Sequence, residues 1–228
     1  MKPVVFYHLY IQNHFFPLWI NEQFNILKTS GLSNDATIYT YITTPIEFKE
    51  IVEAYINQNF SFVNILDIRT TDKPTIYEGS TLKHLYNFSL KQDNPILYFH
   101  SKGSSLSLEN IKYFPNKNSY DWRNLMQYFC IEKYKDCLDL LNTHDVVGVN
   151  WESHPQFHFS GNFWWANSEY IRKLPDPLDL ENFVRFNRCS MEFWIGFNSP
   201  KFYCLHNSNV DHYHKEYPSK LYYVKNDK

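Results

Sequence analysis

The sequence has little that would mark a membrane protein or a nucleic-acid-binding protein. Its 24 acidic and 22 basic side chains nearly cancel and leave a net charge of -2, so the basic footprint of a nucleic-acid binder is missing. No stretch approaches the roughly 18 consecutive apolar residues of a membrane span, and the first residues lack the apolar core and cleavage site of a signal peptide. We therefore expect a cytoplasmic protein with no transmembrane segment and no nucleic-acid partner.

Glycine and cysteine are also scarce, with six and four residues in a chain of 228. No Gly-x-Gly-x-x-Gly follows the first predicted strand and no P-loop occurs, which argues against a Rossmann dehydrogenase and a P-loop ATPase. The Gly-x-Ser-x-Gly elbow of serine hydrolases is missing as well. The cysteines form no Cys-x-x-Cys pair and no zinc-finger spacing, so we expect them to be reduced.

Aromatic residues, in contrast, are abundant and make up 19% of the chain. Such rings fill hydrophobic cores, but they also stack on sugars and nucleobases. Composition alone does not distinguish core packing from ligand stacking, so the position of each ring in the chain is needed to assign its role.

Up to residue 150 the chain alternates predicted strands with predicted helices. This alternation predicts a single α/β domain with a mostly parallel sheet flanked by helices, and ligands beyond the carboxyl ends of the strands. Two capping-box patterns, Thr44-Pro45-Ile46-Glu47 and Thr75-x-x-Glu78, mark helix starts. The predicted strands are 4–11, 36–43, 62–68, 96–99 and 145–150. The predicted helices end near residues 31, 57, 90 and 141. The last of them is predicted as one long helix that begins at residue 121.

The end of the fourth strand is the first candidate site. His100 and Lys102 follow this almost fully apolar strand and precede Gly103. An imidazole and an ammonium group there suit a diphosphate, although a plain turn with a solvated lysine has the same pattern. Residues 104–118 are polar and predict a loop or lid over the cleft.

Two later segments add candidates. Residues 158–166 place three bulky aromatics after a Ser-Gly-Asn turn, which could build a wall for a sugar ring or simply fill two buried faces of a strand. Glu192 is a lone carboxylate in an apolar run, suited to a general base or to an ion pair with Arg188. The C-terminal segment has four residues suited to a metal or a phosphate, which are His206, Asp211, His212 and His214.

The order of these segments resembles a group of small glycosyltransferase-like proteins known from large DNA viruses and from bacterial surface-polysaccharide gene sets. The resemblance runs from about residue 94 to 223, and Ser-Gly-Asn-Phe-Trp-Trp is its most specific element. The matching segments are residues 96–103, 122–126, 146–150, 158–166, 192–196 and 206–208.

The resemblance implies a GT-A-like fold, with residues 1–103 as a nucleotide-sugar-binding half and 104–228 as an acceptor half. It implies a UDP- or GDP-linked sugar donor, a glycan or glycoprotein acceptor, and inversion with Glu192 as the base. Tyr7 and His8 are expected near the base and ribose, and His100, Lys102 and His206 near the diphosphate. The residues expected to contact the acceptor or a sugar are Ser160, Asn162, Trp164, Trp165 and Trp194.

Metal dependence is left open, because the Asp-x-Asp that holds manganese or magnesium in GT-A enzymes is replaced by His100-Ser101-Lys102. Lys102 could neutralise the diphosphate directly, or His100, His206 and His212 could supply metal ligands. Two other classes stay open: an inactive relative that only binds glycans, and a metal-dependent hydrolase that uses the C-terminal histidines and Asp211.

Overall fold

The computed structural model describes residues 1–71, 78–102, 117–179 and 190–223. In these residues, six parallel strands and one antiparallel strand form a seven-stranded sheet in the order β3-β2-β1-β4-β8-β5-β9. A short hairpin, β6–β7, lies beside it. The strands are β1 (Val4–Tyr10), β2 (Thr37–Thr44), β3 (Val63–Thr70), β4 (Pro95–His100), β5 (Val146–Gly148), β6 (Trp151–Glu152), β7 (His158–Phe159), β8 (Trp164–Asn167) and β9 (Phe202–Cys204).

Helices cover both faces of the sheet. They are α1 (Phe16–Thr29), α2 (Leu32–Asp35), α3 (Lys49–Asn59), α4 (Gly79–Ser89), α5 (Lys117–Gln127), α6 (Tyr134–Leu140), α7 (Ser168–Ile171) and α8 (Ser190–Phe193). The first hydrophobic core joins one face of the sheet to α1, α3, α5 and α6, and the second joins the other face to α4, α7 and α8. The predicted α/β class, with a mostly parallel sheet flanked by helices, is confirmed.

The central strands are apolar on both sides because both faces are covered. In β4 every residue from Ile96 to His100 is buried. Its neighbours are β1, from the predicted donor half, and β8, from the predicted acceptor half. Strands from both predicted halves therefore belong to one sheet.

The predicted long helix from 121 to 141 is wrong in one respect. A π-turn at Tyr128–Glu132 separates α5 from α6. The indole Nε1 of Trp165 donates a hydrogen bond of 2.7 Å to the carbonyl of Cys130 within this turn. A side chain that occupies a helical carbonyl is a common cause of such an interruption.

The first capping box is also corrected. A 3-10 turn at Ile46–Phe48 precedes α3, and the hydroxyl oxygen of Thr44 is buried with no hydrogen-bond partner in the described residues. Pro45 therefore precedes the 3-10 turn instead of being the first helical residue, and α3 begins at Lys49, later than predicted. The cysteines that the structure describes, Cys130, Cys137 and Cys204, are free, as predicted. Among the described helices, none has the length and apolar character needed to cross a membrane.

Candidate active site

Two histidines lie side by side at the carboxyl ends of the central strands. His8 of β1 is the register partner of His100 of β4, and the Nδ1 atom of His8 lies 2.8 Å from the hydroxyl of Thr81 on α4. Burial lowers the pKa of both imidazoles to about 4 because the charged form is poorly solvated there. Both rings are therefore neutral near pH 7.

Glu78, which the sequence interpretation assigned to a capping box with Thr75, is a residue of this site. Thr75 lies outside the described residues. The Oε2 atom of Glu78 accepts hydrogen bonds of 2.6 Å from the hydroxyl of Tyr98 and from the side-chain amide of Asn162. Its Oε1 atom lies 3.5 Å from Nδ1 of His100. The carboxylate therefore faces the strand ends instead of capping α4.

The Ser-Gly-Asn turn before β8 closes over the same place. The carbonyl of Gly161 lies 2.9 Å from Nε2 of His100. Asn162 has a positive φ of 59°, donates to Glu78, and accepts a 2.8 Å hydrogen bond from Nε1 of Trp164. Ser160 is half-buried and its backbone N–H donates to the carbonyl of Asn150. The structure thus brings this turn to the end of β4.

Lys102 and Glu192 meet beside this turn. The Nζ atom of Lys102 lies 4.0 Å from Oε1 of Glu192, and the two side chains are 13% and 19% exposed. The same ammonium group lies 4.0 Å from the ring centroid of Trp122 and 5.6 Å from that of Tyr213. The expected ion-pair partner of Glu192, Arg188, lies outside the described residues. Lys102 is thus the cation found beside the carboxylate.

Arg123 fixes the chain that bears Lys102. Its guanidinium donates to both carboxylate oxygens of Glu22, at 2.7 and 2.8 Å, and to the backbone carbonyl of Lys102 at 2.8 Å. The group stacks on Trp19, with 4.6 Å to the ring centroid. A buried arginine with this fork of hydrogen bonds holds the end of β4 in one position.

Two of the three C-terminal histidines, His206 and His212, occupy different surroundings. His212 stacks on Trp122, with ring centroids 5.1 Å apart and planes 11° apart, and burial lowers its pKa to about 4. His206 stacks on Phe129 and lies 2.9 Å from the hydroxyl of Tyr217, and burial lowers its pKa as well. Only His212 shares an aromatic neighbour with Lys102 in the described contacts.

Two N–H donors beside Lys102 lack partners. The Nε2 atom of His212 lies 3.1 Å from the amide Nδ2 of Asn150, whose hydrogens can only be donated, so Nε2 is an acceptor and the hydrogen sits on Nδ1. This Nδ1 atom and Nε1 of Trp122 are buried and have no hydrogen-bond partner among the residues described. Buried donors without a partner are rare in folded proteins.

Four expected contacts with donor or sugar are corrected. The rings of Tyr7, Trp164, Trp165 and Trp194 are at most 1% exposed, so no ring face is available for stacking. Trp164 and Trp165 fill the two opposite cores of the sheet, as the alternative interpretation held. Trp194 donates to the carbonyl of Pro175, and the hydroxyl of Tyr7 donates to Gln23. Burial raises the pKa of Tyr7 well above its ordinary value.

The described residues do not form a metal site. Among them, no group of three or more His, Cys, Asp and Glu side chains is placed to hold a metal ion, so His100, His206 and His212 do not form one ligand set. Asp211 and His214 pair with each other at 2.7 Å on the surface. The available donors do not fit manganese or magnesium, which prefer several carboxylate oxygens, and we derive no step through a metal.

The chain belongs to the family described as Domain of unknown function (DUF8361), which matches residues 6–191. No curated protein matches its sequence.

Similar solved structures include HddC from Yersinia pseudotuberculosis, which is 12% identical with a TM-score of 0.45 and 91% of each chain covered. A candidate nucleotide-diphospho-sugar transferase from Desulfovibrio desulfuricans G20 is 8% identical with a TM-score of 0.44, and the match covers 90% of this chain and 80% of that one. The segment 1-349 of S. aureus TarS is 10% identical with a TM-score of 0.40, and the match covers 86% of this chain and 54% of that one.

Proposed function

We propose that the chain is a glycosyltransferase that moves a sugar from a UDP- or GDP-linked donor to a hydroxyl of a glycan or glycoprotein. The observation that carries this proposal is the pair formed by Lys102 and Glu192. A cation and a carboxylate lie 4.0 Å apart at the carboxyl ends of parallel strands, where α/β folds bind their ligands.

The donor half of the reaction falls to Lys102. Its ammonium group is held over Trp122. This group would bind the diphosphate and balance the charge that builds up as it leaves. A lysine can do this without a metal, so metal independence is part of the proposal.

The acceptor half falls to Glu192, which takes the proton of the attacking hydroxyl as general base. The hydroxyl oxygen forms a bond to the anomeric carbon while the bond from that carbon to the diphosphate oxygen breaks. The nucleoside diphosphate departs with the electron pair, and the proton stays on Glu192. This single displacement inverts the anomeric centre. A cytoplasmic location and the division into donor and acceptor halves belong to the same proposal.

Glu192→Gln separates binding from chemistry. We expect the variant to bind UDP or GDP as the wild type does, measured by titration calorimetry, while release of that nucleotide from its sugar donor falls at least 100-fold, the usual minimum for a lost general base. Glu169→Gln is the matched control, because Glu169 forms a surface pair with Lys173 at 2.9 Å. Unimpaired turnover in Glu192→Gln would remove this residue from the role of base.

A further inference from the structure

The hydrogen bond between His100 and Gly161 determines which nitrogen of His100 bears the proton. The carbonyl oxygen of Gly161 lies 2.9 Å from Nε2 and can only accept. The Nε2 atom therefore carries the hydrogen. Because the low pKa of His100 leaves the ring neutral near pH 7, the Nδ1 atom presents a lone pair.

The carboxylate of Glu78 presents a second lone pair at the same point. Its Oε2 atom is already the acceptor of two hydrogen bonds of 2.6 Å, from Tyr98 and Asn162. Its Oε1 atom lies 3.5 Å from Nδ1 of His100, and no donor in the described residues reaches it. Two acceptors thus face each other with no hydrogen between them.

This arrangement is satisfied by donors that approach from the open side. The side chains of His100 and Glu78 retain 11% and 15% exposure. A hydroxyl bears a single hydrogen, so each of the two acceptors, 3.5 Å apart, needs a hydroxyl of its own at about 2.8 Å, an ordinary hydrogen-bond length. A phosphate offers acceptors and negative charge, so Glu78 would repel it. Two neighbouring sugar hydroxyls offer neutral donors.

We propose that Glu78 and His100 form the subsite that binds hydroxyl groups of the donor sugar. This inference rests on the proposed function and adds a residue that determines sugar specificity. The subsite accepts hydrogen bonds only, so it selects sugars that bear free hydroxyls at the position it contacts. Tyr98 and Asn162 are positioning residues, because they hold the carboxylate in place through its Oε2 atom and not through Oε1.

Glu78→Gln tests the subsite without disturbing the fold. The amide oxygen can take the place of Oε2 and accept from Tyr98 and Asn162, while the amide nitrogen faces His100 and donates to its Nδ1 atom. The lone pair on Nδ1 of His100 is then occupied by a hydrogen bond within the protein, and an amide N–H donor instead of a carboxylate oxygen faces the sugar. We expect unchanged or higher thermal stability, and Glu53→Gln, on the exposed face of α3, is the matched control for charge.

The binding experiment compares UDP-glucose, UDP-galactose and GDP-mannose with UDP and GDP by titration calorimetry. We expect Glu78→Gln to weaken binding of the sugar donor at least tenfold and to leave the affinity for the bare diphosphate within twofold. Equal affinity for the sugar donor in both proteins would overturn the subsite while leaving the proposed function intact. No binding of any probe by the wild type would overturn both.

An independent measurement does not need a ligand. Nitrogen-15 NMR of the histidine side chains should show His100 as the Nε2–H tautomer with an unprotonated Nδ1 atom at pH 7. A proton on Nδ1 would mean that the two facing acceptors do not exist, and the subsite would be refuted.

Discussion

The ammonium group of Lys102 lies 4.0 Å from the centroid of the Trp122 ring. The indole face provides an apolar support for the lysine stem and a favourable site for its charge. The Oε1 atom of Glu192 also lies 4.0 Å from the Nζ atom of Lys102. Lys102, to which the proposal assigns the leaving diphosphate, therefore lies beside Glu192, to which it assigns the attacking hydroxyl.

Lys102→Met should weaken the binding of a nucleoside diphosphate about 10- to 100-fold, because a charge-assisted hydrogen bond is worth about 1.5–3 kcal/mol. The methionine keeps an apolar stem over Trp122, so loss of packing is small. Titration calorimetry measures the change, with Lys133→Met, whose Nζ atom lies 5.7 Å from the ring centroid of Tyr128, as control. Equal affinity in Lys102→Met and wild type would place the diphosphate elsewhere.

Gly161→Ala should destabilise the protein more than Gly31→Ala. Both glycines have a positive φ, 93° and 85°, which costs an alanine about 1–2 kcal/mol. At Gly161 the added Cβ would also collide with Met126 and lie 2.9 Å from Nε1 of Trp122, whereas at Gly31 the nearest atom is 3.8 Å away. Overpacking adds about 1–3 kcal/mol. Urea unfolding measures the loss of unfolding free energy in each variant. Equal losses would show that the turn at Gly161 accommodates a Cβ atom without a collision.

The free energy of unfolding should fall as the pH falls from about 6.5 to about 4. The pKa values of His8, His100 and His212 are each lowered to about 4, chiefly by burial, whereas unfolded histidine titrates near 6.5. In this window the unfolded chain binds protons that the folded chain does not, so each histidine contributes a slope of up to about 1.4 kcal/mol per pH unit. Above pH 6.5 their contribution is constant.

Urea unfolding between pH 7.5 and 4.5 checks this, with His8→Gln as the variant that removes one titrating group and exposed His154→Gln as control. The slope should be shallower in His8→Gln than in the control. The same slope in both proteins would mean that the pKa of His8 is the same in the folded and unfolded states.

The sequence predicted the strands up to residue 150 well, because they depend on local patterns. The apolar run of β4 and the polar residues after it identify a buried strand and its end without knowledge of the fold. Successive side chains of a strand point to opposite faces of the sheet. The sequence analysis therefore also predicted, as one alternative, that Trp164 and Trp165 are buried on the two opposite faces. The structure shows both faces covered by helices, which excludes the other alternative of a ring facing the cleft.

Glu78 was missed because its partners are remote in sequence. Tyr98 and Asn162 lie 20 and 84 positions away, and a local capping pattern offered a nearer explanation. One signal was available: α4 follows β3, so Glu78, the residue just before α4, lies at the edge of the sheet where the strands end. The π-turn had no comparable signal, because it depends on the indole of Trp165, 35 positions from Cys130.

The most direct test of the proposed function is a thermal-shift panel on the full chain. Nucleoside diphosphates and nucleotide-sugars are added with manganese or with a chelator, and free oligosaccharides serve as the comparison. Ligands that bind the native state raise its melting temperature. We predict a stabilisation by UDP or GDP that persists in the chelator. No shift with any nucleotide, together with a shift by free oligosaccharide, would contradict the transferase and favour a glycan-binding protein.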